Sequence, residues 1–220
     1  MDIHSLYQLF LPHFRSRRFR RFFELMAPRS ETVLLDVGGY PWVWAGRGFP
    51  GCVIQSNLAF PEGIRTGFPK DVLVVADGLK LPFADQSVDI GFSNSVIEHL
   101  HSLENQRLFA AEIRRVARTL WVQTPARWFW IEPHLMTPFI HFFPKTMQRR
   151  MLRYFSVWGL VKKPSPQEVE AFLSEVRLLT LDDMQALFPD CQIHKERVLG
   201  LTKSFIAIRR DKPQSSRTIG

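Results

Sequence analysis

Five short apolar runs, rich in β-branched residues, recur between Thr32 and Pro125: VLLDV (33–37), CVIQS (52–56), VLVVA (72–76), VDIGFS (88–93) and TLWVQT (119–124). Each has the length of a buried strand, and helix-sized or loop-sized segments separate them. A chain that alternates in this way builds a parallel sheet covered on both faces, because parallel strands need crossovers and crossovers lie on the faces. Between the last two runs, SLENQRLFAAEIRRVAR (102–118) has the clearest helical period in the chain. Leu103, Leu108, Ala111, Ile113, Val116 and Ala117 are expected to form its apolar flank.

On either side of this core the pattern changes. Phe19, Phe22, Phe23 and Met26 fall at i, i+3, i+4 and i+7 among Arg15, Arg17, Arg18, Arg20 and Arg21, which marks a basic amphipathic helix within residues 1–30. Such a stripe either packs on the main domain or lies on a membrane surface or nucleic acid. Residues 31–210 form the main domain. Within it, PARWFWIEPHLMTPFIHFFP (125–144) carries four prolines and cannot be one regular helix, so about 125–165 reads as a cover inserted over one end of the sheet. Thr180 is placed to cap a short helix before Asp182 and Asp183. CQIHKERVL and KSFIAIRR then alternate as a terminal antiparallel pair, and 211–220 reads as a disordered tail.

With 29 basic and 21 acidic residues the chain carries a formal +8 charge, which favours an anionic partner. Nineteen Phe and six Trp call for an aromatic interior or an aromatic binding surface. Cys52 and Cys191 lie far apart, so neither a disulfide framework nor a metal site is expected. No apolar stretch suits a leader or a membrane span, which points to a cytoplasmic setting, with association at a membrane surface as the alternative.

In an open parallel sheet, ligands sit beyond the carboxyl ends of the strands. Polar or glycine positions appear at four successive ends: Asp36, Gly38 and Gly39; Gln55, Ser56 and Asn57; Asp77 and Gly78; Ser93, Asn94, Ser95, Glu98 and His99. Read together, VLLDVGG, VLVVADGLKLPFADQSVDIGFSNSVIEHL and EIRRVARTLWVQTP resemble the class I S-adenosylmethionine-dependent methyltransferases of the small-molecule, type 11-like kind. The resemblance covers roughly residues 32–125 and, more weakly, the terminal helix and strand pair. It implies an α/β fold, a Rossmann-like, doubly wound, seven-stranded and mostly parallel sheet with a terminal antiparallel strand and a helical, aromatic cover insertion. It also implies S-adenosylmethionine as cofactor.

Carried over by position, the resemblance places Asp36, Gly38 and Gly39 beside the methionine and ribose of that cofactor. Asn57 falls where an acid usually grips the ribose, Asp77 takes the adenine amino group beside Gly78 and Leu79, and Asn94 opens toward donor and acceptor. A purely structural alternative stands beside each: the two glycines could make a tight turn, and Asp77 could cap the segment after it. A nicotinamide enzyme would want G-x-G-x-x-G, where this chain has GGYPWV. For the transfer itself, His99, Glu132 and His134 are the candidate catalytic residues, with Glu98 and His141 behind them. No metal is expected. The function implied is methyl transfer to O or N of a small-molecule or lipid- or sugar-linked acceptor, with a phosphorylated acceptor favoured by the net charge. A non-catalytic binding subunit of the same fold is the alternative, as is a module held at a membrane through residues 1–27; a nucleic-acid partner is disfavoured. Trp128, Phe129, Trp130, Phe139, Phe142 and Phe143 either wall the acceptor pocket or bury the cover, and Arg149, Arg150 and Arg153 could meet a phosphate.

Overall fold

Each β-branched run becomes a strand. The computed structural model describes residues 16–66, 70–129, 131–132, 137–138, 140, 143–155, 159–160 and 163–210. In it β1 (Val33–Val37), β2 (Cys52–Asn57), β3 (Val72–Val75), β4 (Val88–Asn94) and β5 (Ala117–Pro125) pair in parallel. A two-stranded ribbon, β6 (Ile131–Glu132) with β7 (Thr137–Pro138), stands apart in the cover. The terminal hairpin of β8 (Gln192–Val198) and β9 (Leu201–Arg209) then joins the β5 edge, β9 running antiparallel to both neighbours. The order is β3-β2-β1-β4-β5-β9-β8, so the expected seven-stranded, mostly parallel sheet is present.

Residues 16–26 form α1, followed by α2 (Pro41–Trp44), α3 (Leu103–Val116), α4 (Lys145–Phe155), α5 (Pro166–Glu175) and α6 (Leu181–Leu187). On one face, α3 and α6 bury Leu35, Val37, Phe109, Ile113, Leu120, Val122, Met184 and Leu187. Thr180 caps α6 as its sequence predicts: its hydroxyl accepts the Asp183 N–H while the Asp183 carboxylate accepts the Thr180 N–H. The α3 flank differs from expectation. Leu108 is 45% exposed and Ala111 is exposed, and the buried side is Gln106, Phe109, Ala110, Ile113 and Val116. A polar side chain belongs on that side because the Gln106 amide donates to the Ile97 and Arg177 carbonyls, each at 3.0 Å.

The opposite face is the aromatic one. No helix lies between β2 and β3 or between β3 and β4 among the described residues, so the crossovers there cannot shield it. The chain supplies α1 and α2 instead, which bury Phe19, Phe22 and Trp44, together with Phe49 of the following loop, against Val53, Ile90, Phe92, Trp121, Ile206 and Ile208. Phe22 meets Phe92 and Trp121 edge-on, with ring centroids 5.3 and 5.4 Å apart. The arginine-flanked apolar stripe is therefore core: Phe19 is 7% and Phe22 0% exposed, so this part of α1 has no such face left for a membrane. No helix among the described residues is long and apolar enough to cross a bilayer. The cover has a small core of its own, Ile140, Leu152, Val169 and Leu173, where α4 meets α5.

Truncating Phe22 to Ala should cost about 3–5 kcal/mol in denaturant unfolding, as for other large aromatic-to-alanine changes in a core. Replacing the exposed Arg17 or Arg20 by Gln should shift stability by no more than about 0.5 kcal/mol.

Candidate functional site

The neighbours of β1 are β2 on one side and β4 on the other, so the strand order reverses between β1 and β4. At such a reversal the crossovers leave in opposite directions and open a crevice beyond the strand ends. The loops after β1 to β4 bring Gly38, Gly39, Asn57, Asp77, Gly78, Leu79, Asn94 and Ser95 to that end of the sheet. Asp77 is exposed, and one of its carboxylate oxygens accepts the Leu79 N–H at 2.9 Å. The turn expected of this residue is thus formed, and the second oxygen can still accept from a ligand. Asn57 uses its side-chain oxygen on the Leu58 N–H at 2.9 Å, which leaves its amino group to donate. Leu58 beside it is 70% exposed and offers an apolar surface.

After β1 the structure gives each glycine an internal reason. Gly38 has φ +81°, and a Cβ there would lie 2.5 Å from a Val96 methyl. A Cβ on Gly39 would lie 2.0 Å from the Asp36 carboxylate, whose Oδ2 accepts the Trp44 indole N–H at 2.8 Å. Asp36 is therefore not a free ligand for a bound molecule: it is buried behind the turn, and burial pushes its pKa up to about 7 against the opposing pull of the Trp44 hydrogen bond. Trp44 is wholly buried, whereas Trp42 is 60% exposed and stacks on Tyr40 with ring centroids 4.3 Å apart.

At the end of β4, Ser93 donates its hydroxyl to the Val37 carbonyl at 3.0 Å, tying β4 to β1. Asn94 and Gln123 of β5, which are register partners, both turn their side-chain oxygens to Arg18 of α1, at 2.7 Å each. Arg18 also grips Glu196 of β8 through Nε and Nη2, the shortest contact being 2.6 Å. Burial pushes the Glu196 carboxyl upward, but the hydrogen bonds and charge of Arg18 and the Ser204 hydroxyl outweigh it and hold the pKa below the ordinary glutamate value. Sequence periodicity assigns Arg18 to a wet helix face and gives no sign of a partner 178 residues away.

Among the catalytic candidates, His99 is half-buried in the 3-10 turn Ile97–His99, directly after β4. Glu98 is wholly buried; its carboxylate accepts the Thr124 hydroxyl at 2.9 Å and its carbonyl the Arg177 N–H at 2.7 Å, so it braces the turn. The backbone of Glu132 pairs with Thr137 in the ribbon. His134 and His141 lie outside the described residues, as do Trp130, Phe139 and Phe142. Of the remaining aromatics, Phe129 is buried at 8% while Trp128 is 64% and Phe143 37% exposed. Arg149 is engaged by Glu170 at 2.5 Å.

Residues 58–119 match the family model described as "Methyltransferase domain". That span opens just after Asn57 and takes in Asp77, Asn94, His99 and α3, but not the Gly38–Gly39 turn. A protein of Mycobacterium marinum named an uncharacterized methyltransferase is 34% identical over 118 residues, 49% of this chain and 45% of that protein. The chain thus spans under half the length of the curated relatives it matches. Among solved structures, a candidate methyltransferase from an antibiotic biosynthesis pathway of Anabaena variabilis superposes with TM-score 0.53 at 17% identity, covering 83% of this chain and 64% of that one. A candidate zinc-dependent alcohol dehydrogenase of Rhodobacter sphaeroides gives TM-score 0.55 at 12% identity, covering 87% of each chain. Likeness at such identities is likeness of fold.

Two stability measurements probe the turn. Gly39→Ala should lose roughly 2 kcal/mol or more, because neither the backbone nor the buried carboxyl can yield cheaply. For Asp36, the native pKa of about 7 lies above the ordinary 3.8. Its favourable contribution is complete below about pH 4 and is lost as pH rises through 7. Asp36→Asn mimics the protonated form, so its stability relative to wild type should climb by up to ~4 kcal/mol between pH 4 and 8 and then level off.

Proposed function

We infer that this chain, which shares its fold with methyltransferases and matches the methyltransferase family model over residues 58–119, moves a methyl group from S-adenosylmethionine to O or N of a small-molecule or lipid- or sugar-linked acceptor. One observation carries the reading. The polar residues of the matched span gather, with the Gly38–Gly39 turn, at the one place in the sheet where the strand order reverses.

The groups present suit the donor. An exposed carboxylate oxygen on Asp77 can accept from an adenine amino group, the Asn57 amino group can donate to a ribose hydroxyl, and the Leu58 side chain gives the ring an apolar neighbour. Asparagine in place of an acid keeps one such bond neutral rather than charge-assisted. When bound, the donor supplies a sulfonium methyl, an electrophile that needs no further activation. The work left to the protein is to hold the acceptor in line and at near contact, and to take a proton if the acceptor is a hydroxyl. His99 stands at the crevice end of β4 for that second task, with Glu132 and His134 of the cover as further candidates. The net charge of +8 favours an acceptor that carries phosphate.

Titration calorimetry with S-adenosylhomocysteine, the demethylated product, tests the reading directly. Wild type should bind at micromolar to sub-millimolar concentration; no heat at millimolar ligand would refute it. Asp77→Asn keeps an oxygen for the Leu79 N–H but presents a donor to the adenine, so affinity should fall about tenfold with little change in melting temperature.

A further inference from the structure

A guanidinium has only donors, so whichever atom of an amide faces it must be the oxygen. Arg18 spends both Nη1 hydrogens on the oxygens of Asn94 and Gln123 and sets its Nε and Nη2 on Glu196. The arginine is 8% exposed and the grip is bidentate, so the fork is held in one orientation. Ser95 adds to it. Held at φ +58°, it gives its N–H to the Gln123 backbone carbonyl and its hydroxyl to the Gln123 side-chain oxygen, both at 3.0 Å. With both amide oxygens committed, the amino groups of Asn94 and Gln123 are what remain. Among the described residues neither amino group makes a hydrogen bond, although Gln123 is only 2% exposed. Asn94 is half-buried at the crevice between β1 and β4.

Resting on the methyltransferase reading, we propose that Arg18 is a positioning residue. From the N-terminal helix it fixes the side-chain amides of Asn94 and Gln123 with their N–H groups outward, so that these two positions offer donors and take the amino-acid carboxylate of the methyl donor. Adenine toward β3 and ribose toward β2 leave the methionine end over β1 and β4, where these donors lie. A ligand group that itself donates is rejected there, since it would leave the amide hydrogens unpaired.

The test inverts the polarity without removing the support. In Asn94→Asp an acid replaces the amide, and Arg18 can hold it at least as well as before, so the melting temperature should stay or rise. Affinity for S-adenosylhomocysteine should nevertheless fall about tenfold or more, the loss expected when a buried pair of acceptors face each other. Decarboxylated S-adenosylhomocysteine, which keeps the adenosine, thioether and amine, should bind wild type and variant within about twofold of each other. Arg18→Lys, which still only donates, should hold S-adenosylhomocysteine within about threefold of wild type. Arg18→Gln, which can offer an oxygen and let the amides turn, should lose about tenfold for it and little for the decarboxylated ligand. Equal binding of S-adenosylhomocysteine by wild type and Asn94→Asp overturns the proposal. So does an equal loss of both ligands in either Asn94→Asp or Arg18→Gln, which would mark a merely structural role. If wild type binds neither ligand, it is the methyltransferase reading that fails.

Discussion

A carboxylate placed under an aromatic layer needs a donor, and in this protein the Asp36–Trp44 hydrogen bond meets that need. Much of the build of the turn after β1 follows from it. The indole must reach back under the turn, so α2 starts at Pro41 with almost no intervening loop and is only a single turn long. The carboxyl occupies the space a side chain at residue 39 would want, so that position is glycine for the protein's own sake. A pKa near 7 shows that one hydrogen bond only partly offsets the loss of water. The turn therefore has its acid facing inward.

The same aromatic layer explains why a helix outside the sheet's own succession of strands reaches the ends of β4 and β5. Two crossovers have no helix among the described residues, and a parallel sheet cannot leave a face of Val, Ile, Phe and Trp in water. Once α1 is drawn onto that face by Phe19 and Phe22, the residue beside them, Arg18, is carried past the ends of β4 and β5. A guanidinium buried there must be paired, and Glu196 of β8 supplies the charge while two side-chain amides take the two Nη1 hydrogens. Packing of the second face and polarity of the crevice thus depend on one helix.

The sheet was legible because short β-branched apolar runs and turn residues are local signals, and the α6 cap was legible for the same reason. Thr180 and Asp183 lie three residues apart. The network around Arg18 was not, since α1, β4, β5 and β8 contribute to it from positions up to 178 residues apart. Trp42 and Trp44 look alike in sequence, and only the facing of a one-turn helix makes one core and the other rim. The α3 flank misled for a different physical reason: periodicity assumes that the buried side is apolar, and Gln106 turned inward to serve two carbonyls. The turn at Asp77 was legible as well, since its carboxylate and the Leu79 N–H it accepts lie two residues apart.

The two halves of the proposed site are also built differently. Donor-side residues sit on the ends of strands bonded into a seven-stranded sheet, with a continuous core on each face. Among the described residues the cover rests on a small cluster between α4 and α5, and its ribbon pairs only with itself. Small separate clusters open at lower free energy than the main core. A methyl donor is one fixed molecule, which rewards a rigid seat, whereas acceptors differ among enzymes of one fold and are met by loops and insertions. On the methyltransferase reading, substitutions in the cover should change which acceptor is taken, because they repack a satellite cluster and leave the strand ends where they are.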